Sequence, residues 1–257
     1  MLLAIDSGNT NIVFAIYDGE TRRGLWRAAT GQQRTADDYA VWLTSLMAMK
    51  GLSPDMVTDA IICSVVPHAL FDLRTLCRSY FGCEALVVSR HLDLGINVMI
   101  DQPDSAGADR LADAVAVHRH YGGPAIVIDF GTGTTFDIID EGGNYYGGVI
   151  APGINLSLKA LHEAAAHLPR IAVERPVKVI GGNTVTAMQS GVYFGYLGLI
   201  EGIVQRIKTE FGKPMKVIAT GGLAPVFNDA SSTIDHVDSD ITMKGIVEIW
   251  KRARSRG

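Results

Sequence analysis

Apolar and polar positions change period several times along the chain, and the changes recur in the same order in its two halves. Alternating or continuous apolar runs predict strands over Met1–Ile5, Ile12–Tyr17 and Leu25–Ala29, with Asp18 and Gly19 forming a turn. Ala36–Met49 places Tyr39, Leu43, Leu46 and Met47 at helical spacing. Ala60–Val66 reads as a short buried strand stopped by Pro67. A helix over Leu70–Tyr80, a strand over Ala85–Val88 and a helix over Leu111–Tyr121 follow, the last ended by Gly122 and Gly123.

The second half broadly repeats this order. Strands are expected over Ala125–Ile128, Thr135–Ile139 and Tyr145–Ala151, with a turn at Glu141–Gly143. Helices are expected over Leu156–Ala166 and Thr184–Phe211, the latter interrupted near Gly191 or Gly195. A strand over Val217–Thr220 ends in Gly221 and Gly222, and Met243–Arg254 reads as a closing helix. Each half thus holds three hairpin-connected strands, then helix, strand and helix. The pattern implies an α/β chain of two related domains, residues 1–118 and 119–257, with the boundary near residues 116–122.

The repeat is sharpest at the first hairpin of each half. Leu3–Phe14 and Ile126–Asp137 share one plan: an apolar run, an aspartate (Asp6, Asp129), a glycine-containing tip rich in hydroxyls and amides, then a second apolar run. Such a tip can offer backbone N–H groups to a phosphate. Gly8 allows close backbone approach, Thr10 and Asn11 add donors, and Asp6 can reach a magnesium ion or its waters. Either tip alone could be an ordinary turn. The second packs three threonines and two glycines into Asp129–Thr135, a density of small donors that a turn does not need. Together the tips point to two domains that share one nucleotide.

Composition narrows the setting. The 257 residues are 47% hydrophobic and 19% charged, which is globular rather than disordered. A net charge of −4 argues against general nucleic-acid binding, which needs a basic surface. The cationic run Lys251–Arg256 reads as a solvated helix end favoured by the helix dipole. Cys63, Cys77 and Cys83 form neither a disulfide framework nor a zinc pattern. No signal peptide or membrane span is visible, so a reducing cytoplasm fits.

Other candidates carry less. Gly221 and Gly222 after a strand can bring a base against the backbone or simply make a turn. In Pro103–Arg110, Asp109 can take a proton from a substrate hydroxyl while Arg110 grips a polar group. By spacing alone, helix capping and a surface cation have the edge there. His118 and His120 point to different faces of one helix, and His68, His91, His162, His167 and His236 are scattered. Ser7 has no nucleophile elbow around it, and neither the P-loop nor the dinucleotide fingerprint occurs.

Taken in order, Asp6–Thr10, Ser64–Pro67, Gly107–Arg110, Asp129–Thr132 with Thr134 and Thr135, Gly148–Gly153, Asn183 with Thr184, and Thr220–Gly222 resemble type III pantothenate kinase over nearly the whole chain. The resemblance implies two ribonuclease H-like domains of the actin/Hsp70/sugar-kinase type. It implies transfer of the ATP γ-phosphate to the primary hydroxyl of pantothenate, the first step toward coenzyme A. Carried over to this chain, Asp6, Ser7, Gly8, Asn9, Thr10, Asn11, Ile12, Val13 and Thr132 would bind ATP. Asp109 would accept the proton, and Ile100, Gly107, Ala108, Asp109, Arg110 and Thr184 would line the pantothenate site. Asp129 would bind potassium or ammonium, with Mg2+ serving the phosphates, and the enzyme would be a homodimer with a shared site. Many members have Tyr where this chain has Ile100, and Asn where it has Asp113; both departures bear on affinity more than on activity. Two rival readings stand beside it: another kinase or phosphatase of the same superfamily, which would share the tips but lack Gly107–Arg110 with Thr184, and a transcription accessory regulator without kinase activity, which the acidic charge and the intact Asp6, Asp109 and Asp129 disfavour.

Overall fold

The computed structural model describes residues 1–30, 34–165, 168–228 and 230–255. The expected helix end at Ala166, His167 and the tail residue Arg256 lie outside the described residues. In chain order the elements are β1 (Leu2–Ser7), β2 (Asn11–Asp18), β3 (Thr21–Ala29), α1 (Ala36–Ala48), β4 (Asp59–Ser64), α2 (Pro67–Phe81), β5 (Ala85–Val87) and α3 (Ala108–His120). Then come β6 (Ala125–Phe130), β7 (Gly133–Ile139), β8 (Tyr145–Pro152), α4 (Ile154–Ala164), α5 (Thr184–Phe211), β9 (Lys216–Gly221), α6 (Ala224–Asn228), β10 (His236–Val237) and α7 (Ile241–Arg254). The chain divides into two units, Met1–His120 with Ile241–Gly257, and Tyr121–Asp240.

In the first unit the sheet order is β3-β2-β1-β4-β5. β1 pairs antiparallel with β2 and parallel with β4, in registers that set Asp6 opposite Val13 on one side and Cys63 on the other. Because side chains alternate across a strand, β1 splits its residues between two faces. Leu3 and Ile5, with Ile12, Phe14 and Ile16 of β2, join Tyr39, Leu43 and Met47 of α1 and Leu73, Leu76 and Cys77 of α2 in one core. α1 starts in a capping box between Thr35 and Asp38, and α2 stops at Gly82 in the left-handed conformation. Pro67 opens α2 as its first helical residue, where its missing N–H costs no bond, so the helix begins three residues before Leu70.

α7 packs on α3, β1 and β4 of this same unit. That corrects the division that assigned residues 119–257 wholly to the second domain. Ile241, Met243, Ile246 and Ile249 are buried, and Gly245 lies so close to α3 that an added Cβ would sit 1.9 Å from the Ala112 carbonyl oxygen. The cationic end of α7 is also more engaged than a solvated tail. Lys251 bonds Glu20 and Glu248, Arg252 Nε donates to Asp93 at 2.9 Å, and Arg254 pairs with Asp59.

The second unit repeats the plan: sheet order β10-β9-β6-β7-β8, with β6 antiparallel to β7 and parallel to β9. Each unit is therefore three antiparallel strands followed by two parallel ones, the ribonuclease H-like order. Its core joins Ile126, Ile128 and Phe136 to Tyr193, Ile200 and Val204 of α5. α5 runs unbroken for 28 residues, contrary to the interruption expected at Gly191 or Gly195. Each glycine costs about 1 kcal/mol in a helix interior. The Asn183–Thr186 capping box, the Gly212 stop and the buried face outweigh that cost. The five-residue α6 and two-residue β10 were not foreseen; both are too short to show a period.

Gly245→Ala tests the seat of α7. Forcing a methyl against the Ala112 backbone is expected to cost on the order of 1–3 kcal/mol, read as a lower urea midpoint with an unchanged slope.

Candidate active site

The first tip spans the turn between β1 and β2. Gly8 N–H donates to the Asn11 carbonyl at 3.0 Å, and β3's far end holds the turn: Thr30 Oγ1 donates to the Gly8 carbonyl at 2.7 Å and Thr30 N–H to the Thr10 carbonyl at 3.0 Å. Asn9, Thr10 and Asn11 face solvent on this braced turn. Ser7 and Ile12 turn their side chains inward, and the Ser7 Oγ finds no hydrogen-bond partner among the described residues. Val13 and Asp6 are half-buried.

Asp109 is the second residue of α3, where the helix dipole favours a carboxylate. Its Oδ1 accepts from the Arg110 N–H at 2.8 Å. Gly107 makes room for it, since a Cβ there would lie 2.6 Å from that oxygen. Burial pushes the Asp109 carboxyl above the ordinary aspartate range, against the pull of the Arg110 hydrogen bond and charge. The thiol of Cys63, fully enclosed on β4, is pushed far up by burial and by the charges of Asp6, Asp109 and Asp113. The tip aspartate and the α3 aspartates therefore lie within electrostatic reach of one point in the first unit. Asp113, one turn beyond Asp109, is 3% exposed, an acid in the interior that the sequence marked only as a departure from family usage. Gly107, Ala108 and Arg110 are half-buried around the start of α3. Ile100 is half-buried in the irregular stretch that precedes it.

In the second unit, Asp129 near the end of β6 pairs in register with Thr135 and Thr220. Two glycines surround its carboxylate: a Cβ at Gly221 would lie 2.6 Å from Oδ1, and one at Gly131 would lie 3.2 Å from Oδ2. Gly221 also has a φ of +88°, so the position needs glycine twice over. Thr132 is exposed at the tip, and a Cβ at Gly153 would come within 2.1 Å of its carbonyl oxygen. The loop into α4 thus presses directly on the second tip. Thr184, the first residue of α5, lines a largely apolar cavity of about 790 Å³ with Pro152, Met188, Val192 and Tyr196. Among the described residues, no group of three or more His, Cys, Asp or Glu side chains is arranged to hold a metal ion. A cation near Asp129 would draw its other ligands from backbone, hydroxyls or phosphate.

The sequence pattern of the family described as type III pantothenate kinase matches residues 2–206. The chain belongs to the type III pantothenate kinase family. It is 60% identical over 253 residues to a type III pantothenate kinase of Paramagnetospirillum magneticum, covering 98% of this chain and 97% of that one. It is 58% identical to one of Rhodospirillum rubrum, covering 98% of each. Solved structures agree on the fold: a putative Baf family transcriptional activator from Campylobacter jejuni has a TM-score of 0.62 at 19% identity, over 98% of this chain and 99% of that one. A putative 2-dehydro-3-deoxygalactonokinase from Sinorhizobium meliloti has a TM-score of 0.60 at 13% identity, over 98% and 96%. Both likenesses are of the fold alone, and they agree with the two α/β units described above.

Because burial raises the Asp109 carboxyl, the folded protein holds that proton more tightly than the unfolded chain does. The ionised form therefore costs stability at neutral pH, and the cost fades as pH falls through the raised value. Asp109→Asn is expected to melt higher than the parent at neutral pH, with the difference closing in acid. A difference independent of pH in parallel thermal scans would contradict this account.

Proposed function

We propose that this chain is an ATP-dependent pantothenate kinase that acts in the first step of coenzyme A synthesis. One observation carries the reading: a half-buried Asp109 with a raised carboxyl opens α3, and its charge and that of the tip aspartate Asp6 both act on Cys63, in a chain 60% identical to a named pantothenate kinase. The likeness to a putative transcriptional activator is at 19% identity and speaks for the fold alone, so the regulator reading gains nothing from it.

In this reading, Asp6, Ser7, Gly8, Asn9, Thr10, Asn11, Ile12 and Val13 form the ATP phosphate stretch, assisted by Thr132. The exposed Asn9–Asn11 turn supports that use. Ser7 and Ile12, with buried side chains, contribute through their backbone. Arg110, Gly107 and Ala108 hold polar groups of pantothenate, Ile100 offers an apolar contact in place of a hydroxyl, and Thr184 completes the site. Asp109 aligns the primary hydroxyl and takes its proton as the oxygen bonds the γ-phosphorus. The bond to the bridging oxygen breaks and ADP leaves. Phosphoryl transfer has a loose transition state, so positioning and charge neutralisation dominate. When bound, magnesium near Asp6 and potassium or ammonium at Asp129 neutralise phosphate charge. The glycine cradle at Gly131 and Gly221 supports the second of these. Among the described residues no helix is long and apolar enough to cross a membrane. With its acidic charge and unpaired cysteines the protein is read as cytoplasmic, without nucleic-acid partners.

The deciding measurement is ATP turnover with and without pantothenate. Turnover is expected only with pantothenate, and strongly with potassium or ammonium but weakly with sodium. Asp109→Asn is expected to lower kcat by roughly 10²-fold or more, the scale of general base catalysis, with ATP still bound. Equal rates in all-sodium and all-potassium buffers would remove the cation from Asp129, and near-normal kcat in the folded variant would remove the proton from Asp109.

The reading extends to a homodimer in which Thr184 serves the Asp109 of the partner, a use for the apolar cavity beside Thr184. Co-expression of Asp109→Asn and Thr184→Phe chains, each inactive alone, tests it. In the mixed dimer one site collects both lesions and the other none, so activity should return. Verified mixed dimers without activity would refute the shared site.

A further inference from the structure

The stretch between β5 and α3 carries Ile100 and delivers the chain to Gly107, yet it has almost no regular structure of its own. It is nonetheless fixed at several points. Val88 N–H donates to the Ile62 carbonyl at 2.8 Å, which ties the start of the stretch to the sheet. Two residues on, the guanidinium of Arg90 reaches across to Asp104: Nη2 donates to Oδ2 at 2.9 Å and Nε to Oδ1. Asp104 lies in a single helical turn, Pro103–Ser105, that Ser105 closes by donating from Oγ to the Gln102 carbonyl at 2.7 Å. Nearer the start, Leu94 is buried, and Asp93 accepts from both the Gly95 N–H and Arg252 of α7. Residues 91–103 are thus a loop closed at its base by one forked ion pair and held near its start by the single contact of Asp93 with Arg252.

We propose that Arg90 and Asp104 are positioning residues for pantothenate: their forked pair fixes the loop that presents Ile100 and sets the approach to Gly107–Arg110. The inference rests on the pantothenate kinase reading. Neither residue belongs to the reacting set. A fork–fork guanidinium–carboxylate pair fixes direction as well as distance, which a single contact does not. A loop held in its binding conformation saves the ordering cost that binding must otherwise meet, and the apparent affinity rises with the fraction of competent loop. The mutual charge of the pair agrees: Asp104 is held below the usual carboxylate range by Arg90, and Arg90 is pushed up by Asp104. Arg90 is one-third exposed and Asp104 more so, so solvent limits the pair's worth. The effect belongs in binding of the substrate the loop touches, not in chemistry.

The experiment is a double-mutant cycle on the full-length enzyme with Arg90→Gln, Asp104→Asn and both together, assayed for kcat and for the KM of each substrate. Each single variant is expected to raise the pantothenate KM roughly threefold to fivefold, the range of a solvent-exposed pair, while kcat and the KM for ATP stay at parental values. The double variant is expected to be no worse than either single one, because both remove the same contact. An unchanged pantothenate KM overturns the proposal. So does a parallel loss of kcat, ATP affinity and melting temperature, which would mean a merely structural pair, and so does full additivity in the double variant. If the parent enzyme does not phosphorylate pantothenate at all, the kinase reading fails first and takes this inference with it, an outcome visible before any variant is made.

Discussion

Each unit depends on one strand being hydrogen-bonded on both sides. β1 and β6 are the third strands of five-stranded sheets, antiparallel to one neighbour and parallel to the other. That position leaves no tolerance for slippage, because a one-residue shift would exchange the two faces of the strand. In β1 it would turn Leu3 and Ile5 away from α1 and α2 and bury Asp6 among apolar side chains. The core that fixes the register therefore also fixes an aspartate near the strand end, beside a tip that cannot move without unpairing both neighbours. The geometry of the tip is inherited from packing.

The same logic explains where side chains are missing. Gly107, Gly131, Gly153 and Gly221 all sit where a Cβ would strike a carboxylate oxygen or a carbonyl of the tips. At Gly107, Gly131 and Gly221 the group spared is the carboxylate of Asp109 or Asp129, so the acids keep approaches that an alanine would fill. The acids themselves are held differently. Asp109 is half-buried and pushed up by desolvation, against the hydrogen bond and charge of Arg110 and its own backbone. Asp104, outside on the loop, is held low by a full guanidinium. Two aspartates, Asp109 and Asp104, are thus separated by environment rather than by residue type.

Most of the fold was legible in the sequence because strands buried on both faces and amphipathic helices leave clear periods, and because the Asp-Gly tips occur twice. α5 matched its expected bounds, Thr184–Phe211, although its glycines suggested a break; capping and burial at a distance cannot be seen in a local window. α6 and β10 were too short to register. The allegiance of α7 was hidden for another reason. Its apolar stripe says that it must be covered, but what covers it is shown by contacts such as Gly245 against Ala112, which join residues far apart in the chain. At the site, Asp6, Asp109 and Asp129 stood out through motif and resemblance. The burial of Asp113 and the Arg90–Asp104 pair did not, because a buried carboxylate and a surface one look alike in a sequence.

The division of the chain also orders its birth. Tyr121–Asp240 is one uninterrupted stretch, whereas the first unit draws on residues 1–120 and again on the helix at 241–254. Domains generally fold as units during synthesis, with the earliest-made part leading. Here the part made first is left with the bare flank of α3, β1 and β4 until the last helix leaves the ribosome. The nascent protein carries its oldest sheet half-dressed through the synthesis of everything else, and the middle of the chain is the first portion to own all of its residues.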